Sequence, residues 1–242
     1  DLLNLPFIGA YLTASFFIYF LATVIAILRR RSIAEAAVEA QCACIGNVGF
    51  LGIPMLALLM GKEAVLWVML ILAMDLLVFG SLIVVLIVGS RDGRMSLGVL
   101  NAVGLGLIKN PMIMAMVAGL IWSSTDKAFP VPFAEFFDIL GAAATPGALF
   151  VIGASLAANS VERFRVAGWL AFCKLILHPA AVAATSLFIF PVAAYPAAVM
   201  IASAALPVAG NIFILATHYG VAPMRVSASI FLSTVTSVIT IS

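Results

Sequence analysis

Gly46-Asn47-Val48-Gly49-Phe50-Leu51-Gly52-Ile53-Pro54 and Leu206-Pro207-Val208-Ala209-Gly210-Asn211-Ile212-Phe213 are the two stretches that decide the fold. Each sets a proline, glycine and an asparagine in the middle of a long apolar run. Pro54 and Pro207 each remove a backbone donor and clash with the carbonyl four residues back, so a helix kinks or opens there. Glycine permits the non-helical torsions that an opened stretch needs. In hydrocarbon, freed backbone groups survive only where they line a cavity or lie inside protein. Two ordinary proline kinks are the plain alternative, and Pro146 and Pro179 elsewhere in apolar runs show that proline alone is a weak sign. Only these two stretches join proline to glycine and a mid-run asparagine, the pattern of paired broken helices at a transporter's binding site.

The rest of the chain supplies the membrane. Of its 242 residues 65% are hydrophobic and only 9% charged, against about 25% in a soluble domain, and the mean hydropathy is +1.26. So little charge cannot coat a soluble globule of this size. A net charge of +2 and this apolarity also exclude a disordered chain, a coiled coil and a nucleic-acid binder. A span needs about 20 mostly apolar residues, and the runs predict eight helices, A to H, over 5–28, 36–60, 64–89, 108–124, 132–158, 166–190, 196–218 and 222–242. Runs of that length, without strand alternation, exclude a transmembrane β-barrel. Cys42, Cys44 and Cys173 all lie within apolar runs and read as small buried side chains, with no disulfide or metal role.

Loop charge sets the orientation. Arg29, Arg30, Arg31, Arg91, Arg94, Lys109, Arg163, Arg165 and Arg225 fall in the A–B, C–D, E–F and G–H loops, whereas the opposite loops hold only Lys62 and Lys127. Nine against two predicts a multi-pass protein of the cell membrane with the Arg-rich loops cytoplasmic and both ends of the chain outside. B and G, five helices apart, then cross in opposite directions, as in an inverted repeat of five-helix units with the fourth helix broken. A, B and C correspond to F, G and H, and D and E correspond to two helices before Asp1. The chain is therefore expected to be a fragment, residues 1–242 of one transmembrane transporter domain.

These motifs carry a resemblance. Asn47 through Pro54 resembles the N-x-x-x-x-G-I-P stretch of the auxin efflux carrier family, and Leu206-Pro207 through Tyr219-Gly220 resembles its later L-P…A-x-x-Y segment. Asn110-Pro111-x-x-x-Ala115 is similar to the family's sixth helix. Ala144-Thr145-Pro146-Gly147-Ala148-Leu149-Phe150, with Gly153 and Leu156, is similar to the seventh, and Lys174-Leu175 with Pro179 to the eighth. The resemblance runs in order over nearly the whole chain. It implies an all-α membrane protein of ten helices in two inverted five-helix repeats with crossed broken helices, in the bile acid/auxin/sodium-proton antiporter-like group. It also implies external termini and secondary transport of small organic anions: auxin in plants, dicarboxylates such as malate or malonate in some bacteria. The C–D connection of about 18 residues lacks the long loop of plant members and resembles the compact bacterial type.

The expected substrate-binding set is Asn47, Gly49, Gly52, Pro54, Pro207, Gly210 and Asn211. Half-helix ends offer free N–H groups and positive dipole ends to a carboxylate, and the two asparagine amides either donate to the same anion or satisfy unwound backbone. Plant relatives often carry proline near the position of Asn211, which ties its part to the substrate. Three ionisable residues inside spans are candidates for coupling or charge. Lys174 either attracts the anion, changes protonation, or snorkels to the interface. His178, four residues on, relays protons or packs by hydrogen bonds. Asp75 carries a proton, stabilises a cation, or pairs with Lys174 if C and F meet. Glu39 and Gln41 read as interfacial residues at the mouth of B.

The chain has no P-loop, no H-E-x-x-H and no G-x-S-x-G elbow, so no enzyme, cofactor or ATP-driven pump is expected. The leading reading is a carrier, by efflux or exchange, of mono- or dicarboxylates by alternating access around the B/G crossover. Its partners are the anion and the bilayer, with a dimer contact on a scaffold bundle and no nucleic acid; the coupling ion stays open between proton and sodium. A membrane-embedded anion sensor and a sodium-coupled bile-acid-type symporter are the alternatives.

Overall fold

The computed structural model describes residues 4–92, 101, 104–105, 108–109, 111–125, 127–157 and 164–241; Arg94, Asn110 and Arg163 lie outside the described residues. Among these residues the fold is helical. Span A is α1 (Leu5–Leu28). Span B is divided into α2 (Ile33–Cys44), a π-helical turn over Val48–Gly52, and α3 (Ile53–Met60). Span C joins α4 (Ala64–Met74) to α5 (Gly80–Asp92) through a π-turn at Asp75–Phe79. Spans D and E are α6 (Pro111–Ser123) and α7 (Val131–Ala157), which runs through Pro146. Span F joins α8 (Phe164–Phe172) through a π-turn at Cys173–Leu177 to α9 (His178–Ala184) and a last π-turn at Thr185–Ile189. Span G is split into α10 (Ala194–Ala204) and α11 (Asn211–Tyr219), and H is α12 (Pro223–Thr240). Among the described residues three helices are long and apolar enough to cross a membrane: Leu5–Leu28, Ala64–Ser90 and Phe164–Ile189.

The local chemistry explains where these helices start and widen. Ser32 caps α2 by accepting from Glu35 N, and the Glu35 carboxylate reaches back to Ser32 N, a capping box placed directly after the arginine loop. Pro54 and Pro179 each follow a π-turn by two residues, and the wider turn absorbs the missing donor and the ring's bulk. Pro54 thus begins α3 and does not open span B. The opening lies upstream, at Ile45 and Asn47, whose backbones leave the helical region.

The core is two hydrophobic clusters with a polar layer between them. One holds Ile18, Ala40, Phe79, Ile83, Leu170, Ile212 and Val226; the other holds Phe7, Ala14, Val48, Ile71, Met200 and Leu206. Along each of four spans the chain passes from one cluster to the other across a polar group, Ser15, Asn47, Asp75, and Lys174 with His178, and in span G it does so at Pro207. Ala22 of α1 lies in the first cluster with Ala37, Ala40 and Ala43 of α2, small side chains that let the two helices approach closely.

At one end of the bundle two arginine-bearing loops meet. Arg225 at the start of α12 donates to Glu39 Oε1 at 2.6 Å and to Glu35 Oε1 at 2.9 Å. Arg29 also pairs with Glu39. Glu39 is fully buried, so the expected interfacial role is corrected: it is the centre of an ion-pair lock joining the α1–α2 loop to α12. At the other end the Tyr195 hydroxyl donates to the Met60 carbonyl at 2.8 Å.

Candidate functional site

The two opened stretches meet and pair. Gly46 and Val208 form an antiparallel bridge, with Asn47 N donating to Pro207 O at 2.7 Å and Ala209 N donating to Ile45 O at 3.1 Å. Exchanging one strand for the other leaves that pair of bonds unchanged, so the crossing has a local two-fold relation. It satisfies backbone groups that both helices give up on opening, as the apolar surroundings demand. Val208 N finds the Ser233 hydroxyl of α12 at 3.0 Å. Two helix C-termini (Cys44, Ala204) and two N-termini (Val48, Asn211) converge here.

Beside the crossing lies a small cavity lined by Gly46, Asn47, Gly49, Asp75, Gly210 and Asn211, with apolar walls from Ile45, Phe50, Leu72, Leu76 and Ala209. Its volume of about 20 Å³ holds roughly one water, so a dicarboxylate enters only when the walls part. Five of the residues expected from sequence line it: Asn47, Gly49, Gly210, Asn211 and Asp75. Pro207 contributes the carbonyl that Asn47 N binds. Gly52 and Pro54 do not line the cavity. Pro54 is exposed on α3, and a Cβ at Gly52 would come within 2.8 Å of Leu206 Cδ1, so that glycine lets the two opened stretches pack. Gly52→Ala is therefore expected to cost about 1–3 kcal/mol by overpacking. Thermal unfolding should show most of that loss relieved by Leu206→Val; an equal loss in the double variant would refute the contact.

Lys174 does not snorkel. It is fully buried, and its Nζ donates to the Ala204 carbonyl at the C-terminal, dipole-negative end of α10. A Cβ at Gly46 would stand 3.1 Å from Lys174 Cε, so this glycine admits the lysine to the crossing. Lys174 Nζ also lies 3.3 Å from His178 Nδ1, and His178 Nε2 lies 2.9 Å from Ser15 Oγ. An ammonium only donates, which puts the imidazole proton on Nε2 and makes Ser15 its acceptor. His178 thus links Lys174 to Ser15 through its two ring nitrogens.

Asp75 does not pair with Lys174 among the described residues. Its Oδ1 accepts from the Tyr11 hydroxyl at 2.7 Å, while Oδ2 has no partner. Asn211 Oδ1 is also buried without a partner. Helix α1 comes between the two charges: Tyr11 and Ser15, one turn apart, serve Asp75 and His178 respectively. These two residues were missed from sequence, and the signal was two polar side chains four apart on the buried face of α1.

A family profile described as "Membrane transport protein" matches residues 88–242. A protein of Rhizobium meliloti (strain 1021) named "Putative malonate transporter" is 31% identical over 225 residues, covering 88% of this chain and 68% of the relative.

Proposed function

The chain belongs to the auxin efflux carrier family of membrane transport proteins, and from that premise we propose that it carries a small carboxylate anion, malonate being the first candidate, through the crossing of its two opened helices. The observation that carries this reading is the antiparallel pairing at Gly46 and Val208 beside a cavity lined by both asparagines. The Asn47 and Asn211 amides supply donors, and Lys174 sets a fixed positive charge behind the Gly46 wall. With room for about one water, the described state is closed around the site. Translocation follows as alternating access, in which the bundle holding the crossing moves against a scaffold that includes α6 and α7. In this scheme the arginine-bearing loops are cytoplasmic, α1–α5 and α8–α12 come from inverted five-helix repeats, and the scaffold holds the homodimer contact. The match to a relative named for malonate supports the substrate class, and the apolar surface supports bilayer embedding.

Counterflow of labelled malonate and other mono- and dicarboxylates in proteoliposomes of the full-length protein tests this. Loss of an amide that binds a charged group costs about 1.5–3 kcal/mol, so Asn47→Ala and Asn211→Ala should each weaken malonate binding roughly ten- to a hundred-fold. Binding without exchange would replace the carrier by a sensor. Unaltered exchange in both variants would move the site away from the crossing.

A further inference from the structure

We infer that Asp75 is a proton site and that the anion binds only when this acid is protonated, so that proton and anion travel together. This rests on the crossing being the anion site. Asp75 is 4% exposed and lines the same cavity as Asn47 and Asn211. Its Oδ1 is held by Tyr11 at 2.7 Å, which leaves Oδ2, with no partner, as the free oxygen of a cavity-lining carboxyl. A carboxylate has only acceptor sites. An ionised Asp75 therefore meets an incoming carboxylate with like charge and no shared hydrogen, in surroundings where Coulomb repulsion is weakly screened. Protonation on Oδ2 reverses both faults. The new O–H donates to the anion, Oδ1 still accepts from Tyr11, and the proton comes from water with no other bond broken.

The neighbours leave that task to the proton. From α1 the facing group is Tyr11, already donating. From span F they are Lys174, committed to Ala204 O and His178, and His178 itself, committed to Ser15. From α2 it is the Cys44 thiol, which donates to Ala40 O at 3.3 Å. Asn211, on α11, adds a second unpaired acceptor, not a charge. Asp75 is the one acidic side chain among the described residues that line the cavity, and sodium-free buffer separates a proton from a sodium ion at it.

The test uses full-length protein and malonate in sodium-free buffer between about pH 6.5 and 8.5, where malonate itself stays a dianion. Above the acid's apparent pKa, malonate affinity should fall about tenfold per pH unit, and a weakly buffered sample should take up one proton per malonate bound. Asp75→Asn keeps an oxygen for Tyr11. Its malonate binding, whatever its strength, should be flat with pH, and an inward proton gradient should no longer drive accumulation. Affinity in the wild type that does not vary with pH, pH dependence that persists in Asp75→Asn, or a requirement for sodium would each overturn the proposal. Infrared difference spectra recorded across the same pH range without any anion give an independent readout. A protonated-carboxyl band absent from Asp75→Asn supports the site, and an identical band in both overturns it. If that band is present and malonate does not bind at any pH, the substrate reading fails and the proton site stands.

Discussion

Lys174→Met is expected to weaken exchange while leaving the protein folded. Two effects oppose each other in stability. Removing the ammonium leaves the Ala204 carbonyl at the end of α10 without its donor, a loss of about 1–3 kcal/mol. It also spares the desolvation of a fully buried cation, which is of similar or larger size. Methionine fills the same volume, so the net change in unfolding free energy should stay within about 2 kcal/mol. Binding has no such compensation, because the charge behind Gly46 is the fixed cation at the crossing. Losing a buried charge that stands behind the cavity wall, without bonding the anion, costs about 1–2 kcal/mol, roughly 5- to 30-fold in affinity. Malonate binding and thermal unfolding measured on one preparation decide the matter. Normal binding in Lys174→Met would reduce the residue to a helix cap, and a collapse in stability with binding intact per folded molecule would do the same.

Glu39→Leu should cost more stability than any other single change at the arginine end of the bundle. Glu39 is fully buried and bonded to Arg225 at 2.6 Å and to Arg29. Its removal strands Arg225, itself buried, with only half-buried Glu35 as partner. Stranding a buried charge costs about 3–5 kcal/mol, a large share of a typical total of 5–15 kcal/mol. The double variant Glu39→Leu/Arg225→Leu should regain more than half of the loss, because both buried charges then disappear. A single-variant cost of about 1 kcal/mol or less, the size of a surface pair, would refute the lock.

The same lock gives a pH dependence through Glu35. Burial alone raises its pKa, but the Arg225 hydrogen bond and charge, the Ser32 backbone bond and Arg31 together outweigh burial and hold it below the ordinary carboxylate range. A carboxyl lowered on folding stabilises fully above its unfolded pKa, about 4.3, and loses that contribution as pH falls through its lowered value. Acid unfolding midpoints should therefore shift upward in Arg225→Leu, which removes the cause of the lowering.

Much of this was legible in the residues. The apolar runs located α1, the C span and α7 within a few residues, because membrane thickness and the apolarity of lipid leave few other conformations for such runs. The joint presence of proline, glycine and asparagine marked both opened stretches for the same reason: backbone can leave the helix in hydrocarbon only where something else satisfies it. Asn47, Gly49, Gly210 and Asn211 followed from that single constraint, and Asp75 from the cost of an ionisable group inside a span.

Spacing along the chain left the partnerships undetermined. Asp75 and Lys174 read as natural opposite charges, yet Tyr11 and Ser15 of α1 take up Asp75 and His178, because a packed helix between two spans claims their polar groups first. Pro54 read as the point of opening, yet a π-turn accommodates it and the chain opens at Ile45 and Asn47. Glu39 read as an interfacial residue and Arg225, 186 positions on, as a loop charge, and their burial against each other exists only once α2 and α12 meet. Composition and local backbone chemistry determined that this chain spans a membrane with two broken helices. Which groups meet inside depended on how the helices pack, since in an apolar interior each polar group takes the partner that packing brings within about 3 Å.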